Sequence, residues 1–248
     1  MGAAARVGQR DLNAESMFEF GSRVGFWRIW RMFIRHELPL TVYAVGQALE
    51  RNPAAARAMV EAGWEVASHG WRWIDYSGMP EEDEREHMRR AIDAIERVCG
   101  TRPVGWYTGR TSESTRRLVV EEGGFLYDSD SYADELPYWV EVAGGPHLVI
   151  PYTLDANDFK FLLPNGFVTA YDFFAYLVDT FERLFEEGGR MMNVGLHCRI
   201  VGRPGRAPGL ERFLAHVCER EGVWVTTRAE IARHWRERFA PEGSGGGA

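Results

Sequence analysis

Segments rich in β-forming residues alternate with amphipathic helical segments along most of this chain. Asn52 and Pro53 begin one such helix, which ends at Gly63, and a strand follows at once from Trp64. Pro80 begins the next helix in the same way. Regular alternation of this kind implies parallel strands joined by right-handed crossovers. The sequence therefore predicts an α/β fold, either a barrel or a doubly wound sheet.

The remaining expected elements follow the same alternation. Helices are expected at residues 21–37, 54–63, 81–100, 113–124, 169–189, 209–222 and 229–239. Strands are expected at residues 38–46, 64–69, 104–110, 126–130, 190–197 and 223–228. Two further β-rich runs, 137–142 and 147–154, flank a Gly-Gly turn and are typical of a hairpin or of a barrel strand with an excursion. No glycine-rich phosphate-binding motif follows a predicted strand, so nucleotide binding has little support.

Two of the predicted strands end in a histidine, His69 and His197. Because neighbouring side chains of a strand point to opposite faces, each histidine ends the face that carries small or polar residues. A single histidine in such a position is more often a hydrogen-bonded core residue than a catalytic one. Two of them, at the carboxyl ends of predicted barrel strands, favour an enzyme site.

The other strand ends carry polar side chains as well. Alternation places Trp106 and Arg110 on one face of the strand at 104–110, and Asp128 and Asp130 on one face of the strand at 126–130. The carboxyl ends of parallel barrel strands meet at one rim, so these residues and the two histidines are expected to converge there.

Charge and cysteine content exclude several classes of partner. The formal net charge is -7, and no run is dense in lysine or arginine, so neither nucleic acid nor an anionic membrane surface is expected as a partner. The three cysteines are scattered, which indicates neither a metal cluster nor a disulfide framework and favours a reducing cytoplasm. No segment is typical of a signal peptide or a membrane span.

The pattern of candidate ligands speaks against a catalytic metal. A second histidine four residues after His69 would be a strong signal for zinc, but that position is Trp73. The indole nitrogen carries a proton and has no lone pair to give a metal. The sequence therefore predicts no metal and no other cofactor.

Several blocks of the chain resemble the polysaccharide deacetylase (NodB-homology) superfamily, and within it the metal-independent allantoinases of bacterial urate catabolism. The resemblance runs from about residue 13 to residue 235. The final Leu-x-His motif of the superfamily matches Leu196 and His197, whereas the arginine-proline motif is changed to WYTGR at residues 106–110. The blocks that carry the resemblance are ESMFEFGSRVGFWR, EVASHGWRWIDY, GWYTGRTS, YDSDSYADELPYW, PYTLDANDFKF and VGLHCRIVGRPGR.

The resemblance implies a seven-stranded TIM-like (β/α) barrel of the NodB type, over residues 21–239. In relatives an upstream segment carries the first barrel strand, with an acidic residue at its end, and that strand is expected to be missing here. Residues 1–20 are expected to be irregular, and residues 240–248 are expected to form a disordered tail with a linker-like composition.

The implied activity is hydrolysis of the hydantoin ring amide of allantoin to allantoate, in a cytoplasmic homotetramer. His69 and His197 are the expected catalytic residues, because this reaction needs an activated water and an acid for the leaving nitrogen. Tyr107 falls on the outer face if its strand is regular. The side chains expected to bind the ureide are Trp73, Trp106, Arg110, Asp128, Asp130, Asp155, Asn157 and Arg199.

Two other functions compete with this one. A polysaccharide or peptidoglycan N-deacetylase would need a metal triad, which Trp73 disfavours. A chain without the first strand's acidic residue could also be an inactive subunit that only binds or assembles. Release of ureide product by the chain, compared with an upstream-extended form, would distinguish them.

Overall fold

The computed structural model describes residues 10–241, which divide into two units. One unit comprises residues 38–152 and 224–241 and contains the β-sheet. The other comprises residues 10–37 and 153–223 and is mostly helical. Residues 1–9 and 242–248, which include most of the predicted disordered tail, lie outside the described range.

Over the first four strands the order of elements follows the predicted alternation, whereas no strand of the described residues lies between the last three helices. In chain order the strands are β1 (Thr41–Ala44), β2 (Glu65–Ser68), β3 (Gly105–Trp106), β4 (Tyr127–Asp128), β5 (Tyr138–Val142) and β6 (Gly145–Val149). The helices are α1 (Leu12–Phe20), α2 (Phe26–Arg35), α3 (Gly46–Arg51), α4 (Pro53–Glu61), α5 (Glu81–Cys99), α6 (Thr115–Glu122), α7 (Ala170–Glu187), α8 (Ala207–Cys218) and α9 (Arg228–Arg238).

The sheet has six strands in the order β1-β2-β3-β4-β6-β5. All neighbours pair in parallel except β5 and β6, which form an antiparallel hairpin. Ala143 and Gly144 join these two strands, and both have positive φ, 52° and 83°. Positive φ at both central residues is typical of the tight turn that suits the twist of a hairpin. The hairpin prediction is confirmed, although β6 begins and ends earlier than the run at 147–154.

Local signals explain the helix boundaries of the sheet-containing unit. The side chain of Asn52 accepts a hydrogen bond from the Ala55 N–H at the start of α4, where Pro53 supplies the first helical residue. α5 ends at Gly100, whose φ of 77° is the left-handed conformation that favours glycine. α9 begins with a capping box formed by Thr227 and Glu230.

The hydrophobic core of this unit corrects one prediction. Trp106 is 1% exposed and packs in a cluster with buried residues of α5 and α6 such as Met88 and Leu118. The Trp106 side chain therefore lies on the face of the sheet that the helices cover. The next side chain, Tyr107, lies on the other face, whereas the sequence predicts it on the helix-covered outer face. The prediction failed because it oriented β3 from Arg110, which lies beyond the strand and after the positive-φ Gly109.

The helical unit corrects three further predictions. Residues 12–20 are not irregular but form α1, because the Asp11 side chain accepts hydrogen bonds from the backbone N–H groups of Asn13 and Ala14. The helix expected at 21–37 begins with a π-helical segment, Gly21–Gly25, before α2. The expected strand at 190–197 makes a single parallel bridge, Asn157 to Gly195, and no ladder.

The last expected strand, residues 223–228, is also absent as a strand. Its final residues instead cap and begin α9. Within the described residues, no helix has the length and apolar character needed to cross a membrane.

Glycine 25 lets the helical unit pack closely around the segment that carries His197. A Cβ added at Gly25 would lie 1.9 Å from the carbonyl oxygen of Cys198. Gly202 approaches the same helix, since its Cβ would lie 2.5 Å from the Cα of Gly25. The backbone of α2 and its π-helical start therefore hold the segment at 198–202 in place.

Candidate active site

His197 and Asp158 form a hydrogen-bonded pair in the helical unit. The imidazole Nδ1 lies 2.6 Å from one oxygen of the Asp158 carboxylate. The other oxygen accepts hydrogen bonds from the backbone N–H groups of His197, at 2.8 Å, and Val201, at 2.9 Å. The Asp158 side chain is fully buried, whereas that of His197 is 25% exposed. A buried carboxylate that accepts from Nδ1 fixes the ring and leaves the lone pair of the neutral imidazole on Nε2.

The residues just before Asp158 shape the backbone that presents it. The Asn157 side chain donates to the carbonyl oxygen of Thr153 at 3.0 Å and accepts from the N–H of Phe159 at 3.0 Å, which caps the 3₁₀ helix Asp158–Leu162. Asp155 is exposed, and the ammonium of Lys160 lies 3.4 Å from its carboxylate. The Asn157 side chain, which was expected to bind substrate, therefore forms its hydrogen bonds with the protein backbone.

Asp158 itself was not among the candidate residues. Its partner His197 is 39 residues away in the chain, and the strand pattern around residue 190 gave no indication of a contact. The signal that could have found it is the pair of aspartates at positions 155 and 158, next to a candidate asparagine and before an apolar run.

His69 lies at the end of β2 in the sheet-containing unit, among aromatic side chains. Its backbone N–H donates to the carbonyl oxygen of Ala44 at 2.8 Å and extends the pairing of β1 with β2. Its ring centroid is 5.1 Å from that of Tyr107 and 6.3 Å from that of Tyr43. The hydroxyl oxygens of Tyr107 and Tyr132 are 3.0 Å apart, and burial raises the pKa of the Tyr107 phenol. These phenols therefore stay neutral hydrogen-bonding groups.

Asp128 is part of a buried ionic network. The guanidinium of Arg116 donates two hydrogen bonds to the carboxylate, at 2.8 and 3.1 Å, and the His147 Nε2 lies 2.9 Å from it. Burial acts to raise the pKa of Asp128, but the hydrogen bonds with His147 and Arg116 lower it below its ordinary value. The side chains of Arg116 and His147 share the Asp128 carboxylate, and only 1% of the Asp128 side chain is exposed. Asp128 therefore stabilises the fold.

Asp130, two residues later, has the opposite electrostatic character. Its carboxylate accepts hydrogen bonds from the backbone N–H groups of Thr108, at 3.0 Å, and Gly109, at 2.6 Å. Burial raises the pKa of Asp130 to about 7, and the negative charge of Asp128 acts in the same direction. Both aspartates, together with Arg116 and Trp106, line a cavity of about 180 Å³. The two aspartates therefore line one cavity, and a carboxyl group with the pKa of Asp130 can exchange a proton near neutral pH.

The remaining candidates fall in two places. In the sheet-containing unit the guanidinium of Arg110 lies 4.7 Å from the centre of the Trp73 ring, and both residues are exposed. In the helical unit the guanidinium of Arg199 lies 4.6 Å from the centre of the Phe18 ring. The structure thus joins Trp73 with Arg110. The prediction that all strand-end residues share one rim stays a prediction, since the two histidines belong to different units.

The side chains near His69 do not fit the metal site that the resemblance to deacetylases implies. Trp73 occupies the position four residues after His69, and a guanidinium covers its ring, which puts a positive charge where a metal ion would need donors. Across residues 10–241, no group of three or more His, Cys, Asp or Glu side chains is arranged to hold a metal ion. No step of the chemistry below is assigned to a metal.

The geometry supports proton transfer. The Nε2 of His197 can take a proton from water, and the buried Asp158 carboxylate stabilises the imidazolium that forms. Asp130, with a pKa near the operating pH, is able to act as an acid or a base in its own unit. Both arrangements are typical of hydrolases.

Comparison with known proteins identifies the family. The family model for polysaccharide deacetylase matches residues 11–124. A polysaccharide deacetylase-family protein of Schizosaccharomyces pombe is 46% identical over 246 residues, which cover 91% of this chain and 77% of that protein.

Two solved structures are also very similar. A polysaccharide deacetylase-family protein from Pseudomonas aeruginosa PAO1 superposes with a TM-score of 0.94 at 52% identity, covering 97% of this chain and 82% of its own. The structure of Puue allantoinase gives a TM-score of 0.94 at 51% identity, covering 97% of this chain and 81% of its own. The predicted α/β fold of the NodB type is confirmed, and the chain belongs to the polysaccharide deacetylase family.

Proposed function

We propose that this chain hydrolyses the ring amide of a cyclic ureide, with allantoin as substrate and allantoate as product. The observation that carries the proposal is the His197–Asp158 pair, which supplies an oriented general base of the kind that amide hydrolysis needs. Family members are hydrolases of carbon–nitrogen bonds. The choice of a ureide rests on the 51% identity to a structure named allantoinase.

The proposed reaction uses His197 twice. Its Nε2 removes a proton from water, and the resulting hydroxide attacks the ring carbonyl carbon. The tetrahedral intermediate then collapses, the ring carbon–nitrogen bond breaks, and the imidazolium returns the proton to the leaving nitrogen. Asp158 is not consumed; it holds the ring in one tautomer and stabilises the imidazolium while it exists.

Other residues complete the proposal as ligands of the ureide. Asp155 and Arg199, in the same unit as His197, are proposed to bind ureido atoms, whereas the roles of His69 in proton transfer and of Trp73, Arg110 and Asp130 in binding stay predictions. Trp106, Asp128 and Asn157 are less suited to direct contact, because each is almost fully buried and held within the fold. A homotetramer in the cytoplasm is part of the same proposal.

The test is turnover of allantoin by the purified chain, measured as allantoate release, together with two variants and one control. His197→Asn and Asp158→Asn should lower the rate by about 10²–10⁴-fold, the usual cost of losing a general base or its orienting partner. His216→Asn is the matched control, because His216 also pairs with a carboxylate, Glu182, at 2.8 Å in the same unit but forms no part of the proposed site. Circular dichroism shows whether each variant folds.

An N-deacetylase is the alternative outcome, and the same preparation tests it. Acetate release from N-acetylated chito-oligosaccharide or peptidoglycan fragments, without turnover of allantoin, would show that the substrate is an acetylated sugar and not a ureide. Equal allantoin rates in the wild type, His197→Asn and His216→Asn would show that the base lies elsewhere.

A further inference from the structure

The helical unit contains a cavity of about 650 Å³ whose walls carry three arginines. Arg199, Arg203 and Arg206 come from one segment of eight residues, which follows His197 and leads into α8. Two polar residues of α1, Asn13 and Ser16, line the same cavity. The chain as a whole is acidic, with a formal net charge of -7, so this local excess of positive charge is unusual for it.

Each guanidinium lies over a phenylalanine ring, which holds it in place. Stacking on an aromatic face restricts the rotamers of arginine, so less conformational entropy is lost when the guanidinium forms hydrogen bonds. The distances from guanidinium carbon to ring centre are 4.6 Å for Arg199 and Phe18, 3.6 Å for Arg203 and Phe20, and 4.8 Å for Arg206 and Phe161.

Carboxylates of the protein do not neutralise this cluster fully. Among residues 10–241, no carboxylate forms an ion pair with Arg203 or Arg206, although most other arginines of the unit have one. Burial lowers the pKa of Arg206; the positive charge of Arg203 adds to this effect, and the negative charge of Asp158 opposes it. Arg203 and Arg206 repel one another, and an anion in the cavity would relieve that repulsion in addition to the attraction that Asp158 already exerts on Arg206.

The backbone is built to bring these groups together. The close approach of Gly25 to Cys198 and Gly202 places α1 and its π-helical continuation against the arginine segment. Gly21 lies next to Arg199 in the same way, since a Cβ added at Gly21 would lie 3.0 Å from the backbone nitrogen of Arg199. A π-helical turn inside a helix frequently marks a functional site, since its extra residue costs helix stability.

We propose that this cavity binds a small molecule with two or more negatively charged oxygen groups, a phosphate ester or a di- or tricarboxylate. The fixed forks of the guanidinium groups match carboxylate and phosphate oxygens in pairs. A single carboxylate would neutralise only one of the two guanidinium groups, Arg203 and Arg206, so a multivalent anion fits better. Met17, Leu162 and Val168 give the cavity an apolar side that suits the carbon skeleton of an organic anion.

The experiment uses the full chain, with inorganic phosphate, citrate and acetate as probes, titrated by calorimetry at constant ionic strength. Citrate or phosphate should bind saturably, and acetate at least tenfold more weakly. Whether citrate or phosphate binds more tightly distinguishes a carboxylate from a phosphate ligand. Arg203→Gln and Arg206→Gln should each weaken binding about 10- to 100-fold, as expected for the loss of a charged hydrogen-bonding group.

The matched control is Arg212→Gln. Arg212 also lies over a phenylalanine ring, Phe174 at 6.0 Å, in the same unit, but it does not line the cavity. The Arg212→Gln variant should therefore bind phosphate, citrate and acetate with the affinities of the wild type. If Arg203→Gln does not fold, Arg203→Lys takes its place, because it keeps the positive charge. Arg203→Lys should weaken binding several-fold, because lysine lacks the paired N–H donors of the guanidinium group.

Two results would overturn the inference. One is the absence of saturable binding of both multivalent anions to the folded wild type. The other is an equal loss of affinity in Arg212→Gln and Arg203→Gln, which would show general charge screening. Binding is measured without turnover, so neither result depends on the proposed hydrolysis of allantoin.

Discussion

At the scale of single residues, Asp128 and Asp130 show how position decides the chemistry of a carboxyl group. The carboxylate of Asp128 has a guanidinium and an imidazole as partners, and these hold its pKa below the ordinary value despite burial. Asp130 is bonded mainly by backbone N–H groups and has Asp128 as its charged neighbour, so burial prevails and its pKa rises to about 7. Only Asp130 is therefore able to exchange a proton near neutral pH.

Asp130→Asn should flatten the pH dependence of stability between about pH 4 and pH 7. In that window the folded chain keeps the Asp130 proton, whereas the unfolded chain, with an ordinary pKa of about 3.9, has lost it. The free energy of unfolding therefore falls as pH rises, by at most about 1.4 kcal/mol per pH unit from this group. Asparagine does not titrate, so this contribution disappears. Urea denaturation at stepwise pH measures the difference.

The exposed Asp93 on α5 provides the control for that measurement. Asp93→Asn should leave the slope of stability against pH close to that of the wild type. If Asp130→Asn and Asp93→Asn give the same slope, the Asp130 carboxyl does not exchange its proton near neutral pH, and the proton-transfer capacity inferred from its burial is wrong.

The sequence predicted some site residues well and others poorly, for physical reasons. Alternation correctly placed His69 at a strand end and Asp128 near Asp130, because both features depend only on local geometry. It could not show that His197 pairs with Asp158 or that Asp128 pairs with Arg116, since these hydrogen bonds join separate segments. Hydrogen-bond partners depend on tertiary packing, which residue types at fixed spacing do not reveal.

At the scale of elements, apolar spacing identified the helices better than it identified their starts. The run of apolar residues in α2 predicted a helix, but the segment Gly21–Gly25 before it is π-helical and α1 lies before that. The aspartate cap of α1 was the missed local signal, whereas the π-helical turn depends on the close approach of Gly25 to Cys198. The strand at 190–197 failed for a similar reason, since its apolar residues pack without a neighbouring ladder.

Gly25→Ala should destabilise the chain strongly, by at least about 1–3 kcal/mol. Its φ of -65° is ordinary for alanine, which would by itself favour the helix. The Cβ, however, would lie 1.9 Å from the carbonyl oxygen of Cys198, and the backbone there must move. The midpoint of chemical denaturation measures the loss.

Gly205→Ala is the paired control in the same unit. A Cβ at Gly205 meets nothing within 4 Å, so this substitution should change stability by no more than about 0.5 kcal/mol. Similar midpoints for the two variants would mean that the helix and the His197 segment are not as tightly packed as the structure shows.

At the scale of the whole molecule, alternation of strands and helices was sufficient to predict the fold class. Parallel pairing of β1, β2, β3 and β4 follows from that alternation. The hairpin follows from the turn predicted at Gly144 and Gly145, although the turn itself lies one residue earlier, at Ala143 and Gly144. The number of strands could not be predicted, because the segments at 190–197 and 223–228 have strand-like composition but no ladder partners. The composition of a segment shows that it could form a strand, but a strand forms only where a neighbouring strand supplies hydrogen-bond partners.

For the molecule as a whole, we predict that the proposed hydrolysis of allantoin does not depend on a metal. Dialysis against EDTA and dipicolinate should leave the rate of allantoin turnover within about twofold of the untreated protein. The reason is the residue four positions after His69: Trp73 has no lone pair to give a metal, and the guanidinium of Arg110 covers its ring.

Elemental analysis of the same samples completes the test. Zinc should be far below one atom per chain before dialysis, and added zinc should not raise the rate. The opposite finding would be a stoichiometric metal whose removal abolishes turnover and whose return restores it. That finding would require three donors to gather around His69 or His197, and the deacetylase reaction would then replace ureide hydrolysis as the better account of this chain.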